Sequence, residues 1–135
     1  MPDERLMTVA GLVRPGSRVV DVGTDHAYLP VYLVGAGICP SAIASDLREG
    51  PLEAARRHID EAGLTGRIAV RLGDGLACVS PDEVEDVVIA GMGGETIVGI
   101  LQAAPWVRDG DKRLICQPMT HAEDLRRYLL YHGFS

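Results

Sequence analysis

The sequence predicts a doubly wound α/β domain, a mainly parallel sheet held between two layers of helix. Two observations predict it. Short β-branched runs alternate with longer helical stretches along the chain, the pattern of right-handed βαβ units. Each run also leads directly into a polar or glycine-rich turn, where such sheets bind ligands, outside the carboxyl ends of the strands. The 135 residues, 47% hydrophobic and 24% charged, suffice for one domain with its own core.

Leu6, Val9, Ala10 and Val13 recur at helical spacing, so a first helix is expected over 3–14, ended by Pro15-Gly16. The run RVVDV at 18–22 is the first strand. A helix over 29–34 follows, with Pro30 in its first turn and Gly35 and Gly37 closing it. AIASD at 42–46 reads as the second strand, and 51–63 as a helix with proline at its start and glycine at its end. The third strand, 67–72, runs into Gly73-Asp74-Gly75. The strongest strand signal is 85–91, followed by Met92-Gly93-Gly94 and a helix over 95–103. A fifth strand at 113–117 precedes Pro118 and a last helix over 122–132.

Composition excludes several classes of function. A net charge of −6 opposes unassisted binding to a polyanion. Arg56-Arg57 and Arg126-Arg127 fall on expected helices beside acidic residues, as solvated, salt-bridged faces do. Cys39, Cys78 and Cys116 are scattered, and His26, His58, His121 and His132 show no paired ligand spacing, so neither a disulfide framework nor a metal site is expected. No apolar run approaches the ~20 residues that span a bilayer, and the start lacks a signal-peptide pattern. The expected compartment is the cytoplasm, with no membrane partner.

The stretch 21-DVGTDHAYLP-30 carries the chemistry. Where a dinucleotide fingerprint needs G-x-G-x-x-G, this chain has Gly23-Thr24-Asp25-His26-Ala27-Tyr28. A pyrophosphate needs close backbone approach and positive potential; Asp21 and Asp25 would repel it. They suit a ligand with a cationic end, such as the ammonium and sulfonium of S-adenosylmethionine, so an NAD-linked reductase is disfavoured. Asp46 ends the second strand, roughly 20 positions after the glycine turn, where an acid accepts two hydrogen bonds from the ribose hydroxyls. Asp74 can accept from an adenine amino group or simply make an Asp-Gly turn. Together Asp21, Asp46 and Asp74 mark the methionine, ribose and adenine ends of one extended ligand. In 89-IAGMGGETI-97 small residues let a substrate approach the backbone and cap the next helix.

RLMTVAGLV, DVGTDHAYLP, ASDLREGPLEAA, GDGL, IAGMGGETI and CQPM together resemble the bacterial tRNA adenine-N1 methyltransferases that modify adenine 22, over nearly all 135 residues. The resemblance implies a Rossmann-like class I methyltransferase fold and S-adenosylmethionine as cofactor. The turns and the resemblance together make the candidate cofactor contacts Asp21, Gly23, Thr24, Asp25, His26, Asp46, Leu47, Asp74, Gly75, Gly91, Met92 and Gly93. The target adenine would lie near Tyr28, Met92, Gln117 and Pro118. Asp25 would support charge moving onto the purine, Gln117 would bond the adenine edge and Tyr28 would stack on the base or fill the core. Family members continue past 130-LYHGFS-135 with two further strands and a helical region that helps engage tRNA, so the sheet is expected to lack its last two strands and to expose an edge to a second copy. Two alternatives stand beside tRNA methylation. One is a small-molecule methyltransferase; the other is a non-catalytic cofactor-binding or oligomerising fragment.

Overall fold

The computed structural model of the chain describes residues 4–132 and residue 134. Five strands pair in parallel throughout: β1 (Val19–Val22), β2 (Ala42–Asp46), β3 (Ile68–Leu72), β4 (Asp86–Met92) and β5 (Arg113–Pro118). Their order is β3-β2-β1-β4-β5. The chain steps outward from β1 to β2 and β3, then returns past β1 to lay down β4 and β5. The switch point therefore lies between β1 and β4.

Alternate strand residues face two separate cores. Val19, Ala42, Ala44 and Val88 pack under α1 (Glu4–Ala10), α2 (Tyr28–Gly35) and α3 (Glu49–Glu61). Val20, Ile43, Val87 and Ile89 pack under α4 (Gly94–Ala103) and α5 (Ala122–Tyr131). Strands buried on both faces read as continuous β-branched runs rather than alternating ones, which is why β1 and β4 stand out in the sequence.

The expected elements are all present, and all but β2 have shifted ends. The first helix stops at Ala10, not at residue 14, and residue 3 lies outside the described residues. The N–H groups of Leu12 and Val13 donate to the carbonyls of Val9 and Ala10, tight i→i−3 turns after Gly11. Val13 is nonetheless 4% exposed, so its periodicity reported burial and not helix. The third helix begins two residues earlier than expected, at Glu49, which leaves Pro51 in the first turn where no N–H is needed. At its far end Gly63, with φ of 72°, takes the left-handed position, and Leu64 N–H donates to the Ile59 carbonyl at 3.1 Å. The 3-10 turns Pro81–Glu83 and Pro105–Arg108 were not foreseen. Gly133 and Ser135 of the final LYHGFS stretch lie outside the described residues.

Arg14 clamps the N-terminal segment to the sheet. Its backbone N–H and Nε each donate to the Asp86 carboxylate at 2.8 Å, and Nη2 donates to the Glu85 and Asp111 carbonyls at 3.0 Å. Asp86 is fully buried, so without these donors β4 would start on an unpaired charge, which is costly. The clamp holds α1 across the sheet, where it reaches the switch point. β3 and β5 are the sheet's edges.

Candidate functional site

The turn after β1 is bent by three left-handed residues. Gly23 has φ of 76°, and the non-glycine residues Asp25 and Ala27 have φ of 56° and 61°. Left-handed backbone costs a non-glycine residue about 1–2 kcal/mol, and such strain concentrates at functional sites. The turn is tied to β2, where the N–H groups of Gly23 and Thr24 both donate to the Ser45 carbonyl at 2.9 Å. Ala27 is fully buried, which anchors the loop while Asp25, His26 and Tyr28 stay outside.

Over the carboxyl ends of β1 to β4 lies a cavity of about 770 Å³. Asp46, Leu47 and Arg48 line it after β2, Gly73-Asp74-Gly75 after β3, and Ala90, Gly91 and Met92 at the end of β4. Asp46 is 8% exposed; one of its oxygens accepts the Arg48 backbone N–H at 3.1 Å, which leaves the other for a ligand. α4 adds Thr96, Gly99, Ile100 and Ala103, residues that sequence reasoning missed. Their i, i+3, i+4, i+7 spacing puts them on one helix face and was the available signal.

A second cavity of about 280 Å³ opens beside the first, under α1. Arg5, Leu6 and Val9 of α1, Asp21, Thr24, Tyr28 and Gln117 line it. Gly23, Asp25, Ala90 and Gly91 border both cavities, so the two are compartments of one cleft with a glycine waist. A side chain at Gly91 (φ 78°) would meet only open space, whereas one at Gly23 would strike Met92 Cε, at 2.5 Å. Arg5 Nη2 donates to Gln117 Oε1 at 3.3 Å, bridging α1 and β5 across the small compartment. Neither Arg5 nor that bridge was foreseen from the sequence.

Asp21 lies at the base of the small compartment, 7% exposed. Burial pushes its carboxyl up to about 7; the Thr24 hydroxyl, which donates to it at 3.0 Å, opposes the rise, and the Asp46 charge adds to it.

Of the sequence candidates, Gly23, Asp25, Asp46, Leu47, Asp74, Gly75, Gly91 and Met92 meet around the large compartment. Asp21, Thr24, Tyr28 and Gln117 meet around the small one. His26, Gly93 and Pro118 line neither. Gly93 is the N-cap of α4 and Pro118 ends β5, while His26 joins a cluster of rings outside the cleft. Among the described residues there is no group of three His, Cys, Asp or Glu side chains that could hold a metal ion, and no helix is long and apolar enough to cross a membrane.

Comparison with known proteins places this cleft in a family. The family model described as "Methyltransferase domain" matches residues 3–135. Over 98% of its length the chain is 42% identical to the tRNA (adenine(22)-N(1))-methyltransferase of Bacillus subtilis (strain 168), and it covers 56% of that protein. The crystal structure of the B. subtilis m1A22 tRNA methyltransferase TrmK superposes with a TM-score of 0.92 at 40% identity, covering 97% of this chain and 56% of that one. Streptococcus pneumoniae Sp1610, solved in complex with S-adenosyl-L-methionine, superposes with a TM-score of 0.94 at 43% identity, covering 100% of this chain and 64% of that one. The chain thus spans about half the length of the curated relatives it matches. Its parallel sheet is the Rossmann-like methyltransferase fold, and by sequence and architecture alike the chain belongs to the methyltransferase-domain family.

Proposed function

We propose that this chain is the catalytic domain of an S-adenosylmethionine-dependent methyltransferase that acts on N1 of an adenine in tRNA. The observation that carries the reading is the two-compartment cleft, with acids at its large end and Asp21 and Arg5 among the residues that line its small end. A volume of about 770 Å³ suits a nucleoside-sized ligand. Asp46 would hold the ribose hydroxyls and Asp74 the adenine amino group. Asp21 and Arg5 are complementary to the ammonium and carboxylate of an amino-acid end. When bound, this cofactor supplies a methyl group on a cationic sulfur, which the in-plane lone pair of adenine N1 can accept.

No base is needed to free that lone pair, so the protein's part is positioning and electrostatic support. Asp25 borders both compartments and supports the positive charge that develops on the purine. Gln117, tethered by Arg5, presents its amide to the adenine edge, and the half-exposed Tyr28 orients the base at the rim. A tRNA substrate places this work in the cytoplasm, and the edge of β5 is where a second copy would pair.

Isothermal titration with S-adenosylhomocysteine, with NADH as control, tests the cofactor; mass spectrometry of nucleosides from treated tRNA tests the substrate. Micromolar binding of the first ligand alone and appearance of 1-methyladenosine are expected. A folded chain that binds no S-adenosylhomocysteine overturns the cofactor assignment, and transfer that needs no tRNA favours the small-molecule alternative.

The raised carboxyl of Asp21 makes binding depend on pH. An ammonium ligand favours the ionised form, so affinity should rise with pH until about 7 and then level off, with about tenfold weaker binding at pH 6 than at pH 8. Folding stability runs the other way. The folded chain keeps a proton that the unfolded one releases near pH 4, so stability falls as pH rises from about 4 to 7. Asp21→Asn should flatten both profiles; titrations and thermal melts across pH 5–8 check this.

A further inference from the structure

We propose that His26, Tyr28 and His58 form a stacking ledge for the nucleobase next to the target adenine, a subsite outside the cofactor cleft. The proposal rests on the RNA reading above. The His26 and Tyr28 rings stack with centroids 5.4 Å apart and planes 17° apart. His58, from α3, meets Tyr28 edge-on with centroids 4.9 Å apart, and its Nδ1 donates to the His26 carbonyl at 3.0 Å. The Asp25 carboxylate lies 3.3 Å from His26 Nδ1. The β1–α2 turn, the first residue of α2 and α3 thus order three rings at the surface.

Burial does not explain the placing of His26 and Tyr28, although His58 is half-buried. Tyr28 is 47% exposed, the His26 side chain is 48% exposed, and His26 and His58 line neither compartment. Tyr28 lines the small compartment as well, so the ledge starts at the rim of the cleft. The left-handed Asp25 and Ala27 hold it in place, so the rings are arranged before any ligand arrives.

A base that enters the cleft must leave its own stack, and its neighbour loses a stacking partner. An ordered aromatic surface at the rim replaces that partner without reading sequence, since every base has a π-face. Tyr28 separates the two roles, with the target on its cleft side and the neighbour on the side of the histidines.

The test uses the 135-residue chain saturated with S-adenosylhomocysteine and RNA hairpins that carry 2-aminopurine 5′ or 3′ of the target adenine, a probe whose emission is quenched by stacking. The native chain is expected to quench one of the two. His26→Ala and His58→Ala should each lose the quenching and bind the hairpin about tenfold more weakly. His58→Ala should keep its S-adenosylhomocysteine affinity, which shows that it is folded, and His26→Phe should restore the quenching. Alanine variants with native quenching and affinity overturn the ledge and leave the RNA reading standing. A native chain that binds S-adenosylhomocysteine but neither hairpin overturns both and leaves the cofactor reading intact.

Discussion

Replacing Asp46 with alanine is expected to weaken S-adenosylhomocysteine binding at least tenfold, and about fiftyfold as a central value, some 2 kcal/mol. The carboxylate lies at the end of β2 and is almost buried against the large compartment, with one oxygen on the Arg48 N–H. A vicinal diol would bond the rest of the group, and hydrogen bonds to an ionised acceptor are worth about 1.5–3 kcal/mol each. Alanine removes both acceptors and leaves the hydroxyls in a pocket that offers only partial replacement by water. Asp46→Asn keeps an acceptor without the charge and should fall between. The fold should survive, because Asp46 also adds to the repulsion felt by the buried Asp21. Calorimetric titration of the folded variant decides the matter; an unchanged dissociation constant would remove the ribose assignment.

The larger effect on stability is expected at Gly94. A methyl group there would run into the His121 carbonyl oxygen well inside contact distance, with the carbonyl carbon 2.8 Å away and the Thr120 oxygen 3.0 Å away. Those atoms cannot easily withdraw. The Thr120 carbonyl accepts the Gly94 N–H at 2.7 Å, and the His121 carbonyl accepts N–H groups from the first turn of α5. Gly94→Ala should therefore cost about 3 kcal/mol, the top of the usual range for overpacking, and lower Tm by about 10 °C. Since Gly94 opens the helix that lines the cleft, cofactor affinity should fall too. Gly50→Ala on α3, where an added carbon meets nothing within 4 Å, is the control and should leave Tm unchanged or slightly higher. Equal melting temperatures for the two variants would show that the α4–α5 junction yields more than its hydrogen bonds imply.

The elements were legible because strand and helix periodicity are local. β2 was placed at 42–46 to the residue, and Asp46, Asp74, Gly91 and Met92 were picked out at strand ends before their cleft was known, although β4 runs on through Met92. What escaped was long-range. Arg14 meets Asp86, and Arg5 meets Gln117, across more than half the chain, and no spacing rule links such pairs. α1 illustrates the limit: its apolar period runs through Val13, but the helix ends at Ala10, because periodicity records which side chains are buried and not the backbone that carries them.

The sequence by itself determined the alternation of strands and helices, the acids at the strand ends and the departure from a pyrophosphate-binding turn, since each is written within a few neighbouring residues. Only the tertiary structure decided that β4 lies beside β1, that α1 and α4 wall the cleft, and that rings from the β1–α2 turn, α2 and α3 meet at its rim. Strand order and helix placement arise from packing the two faces of one sheet, and residues distant in sequence share a site only once that packing is complete.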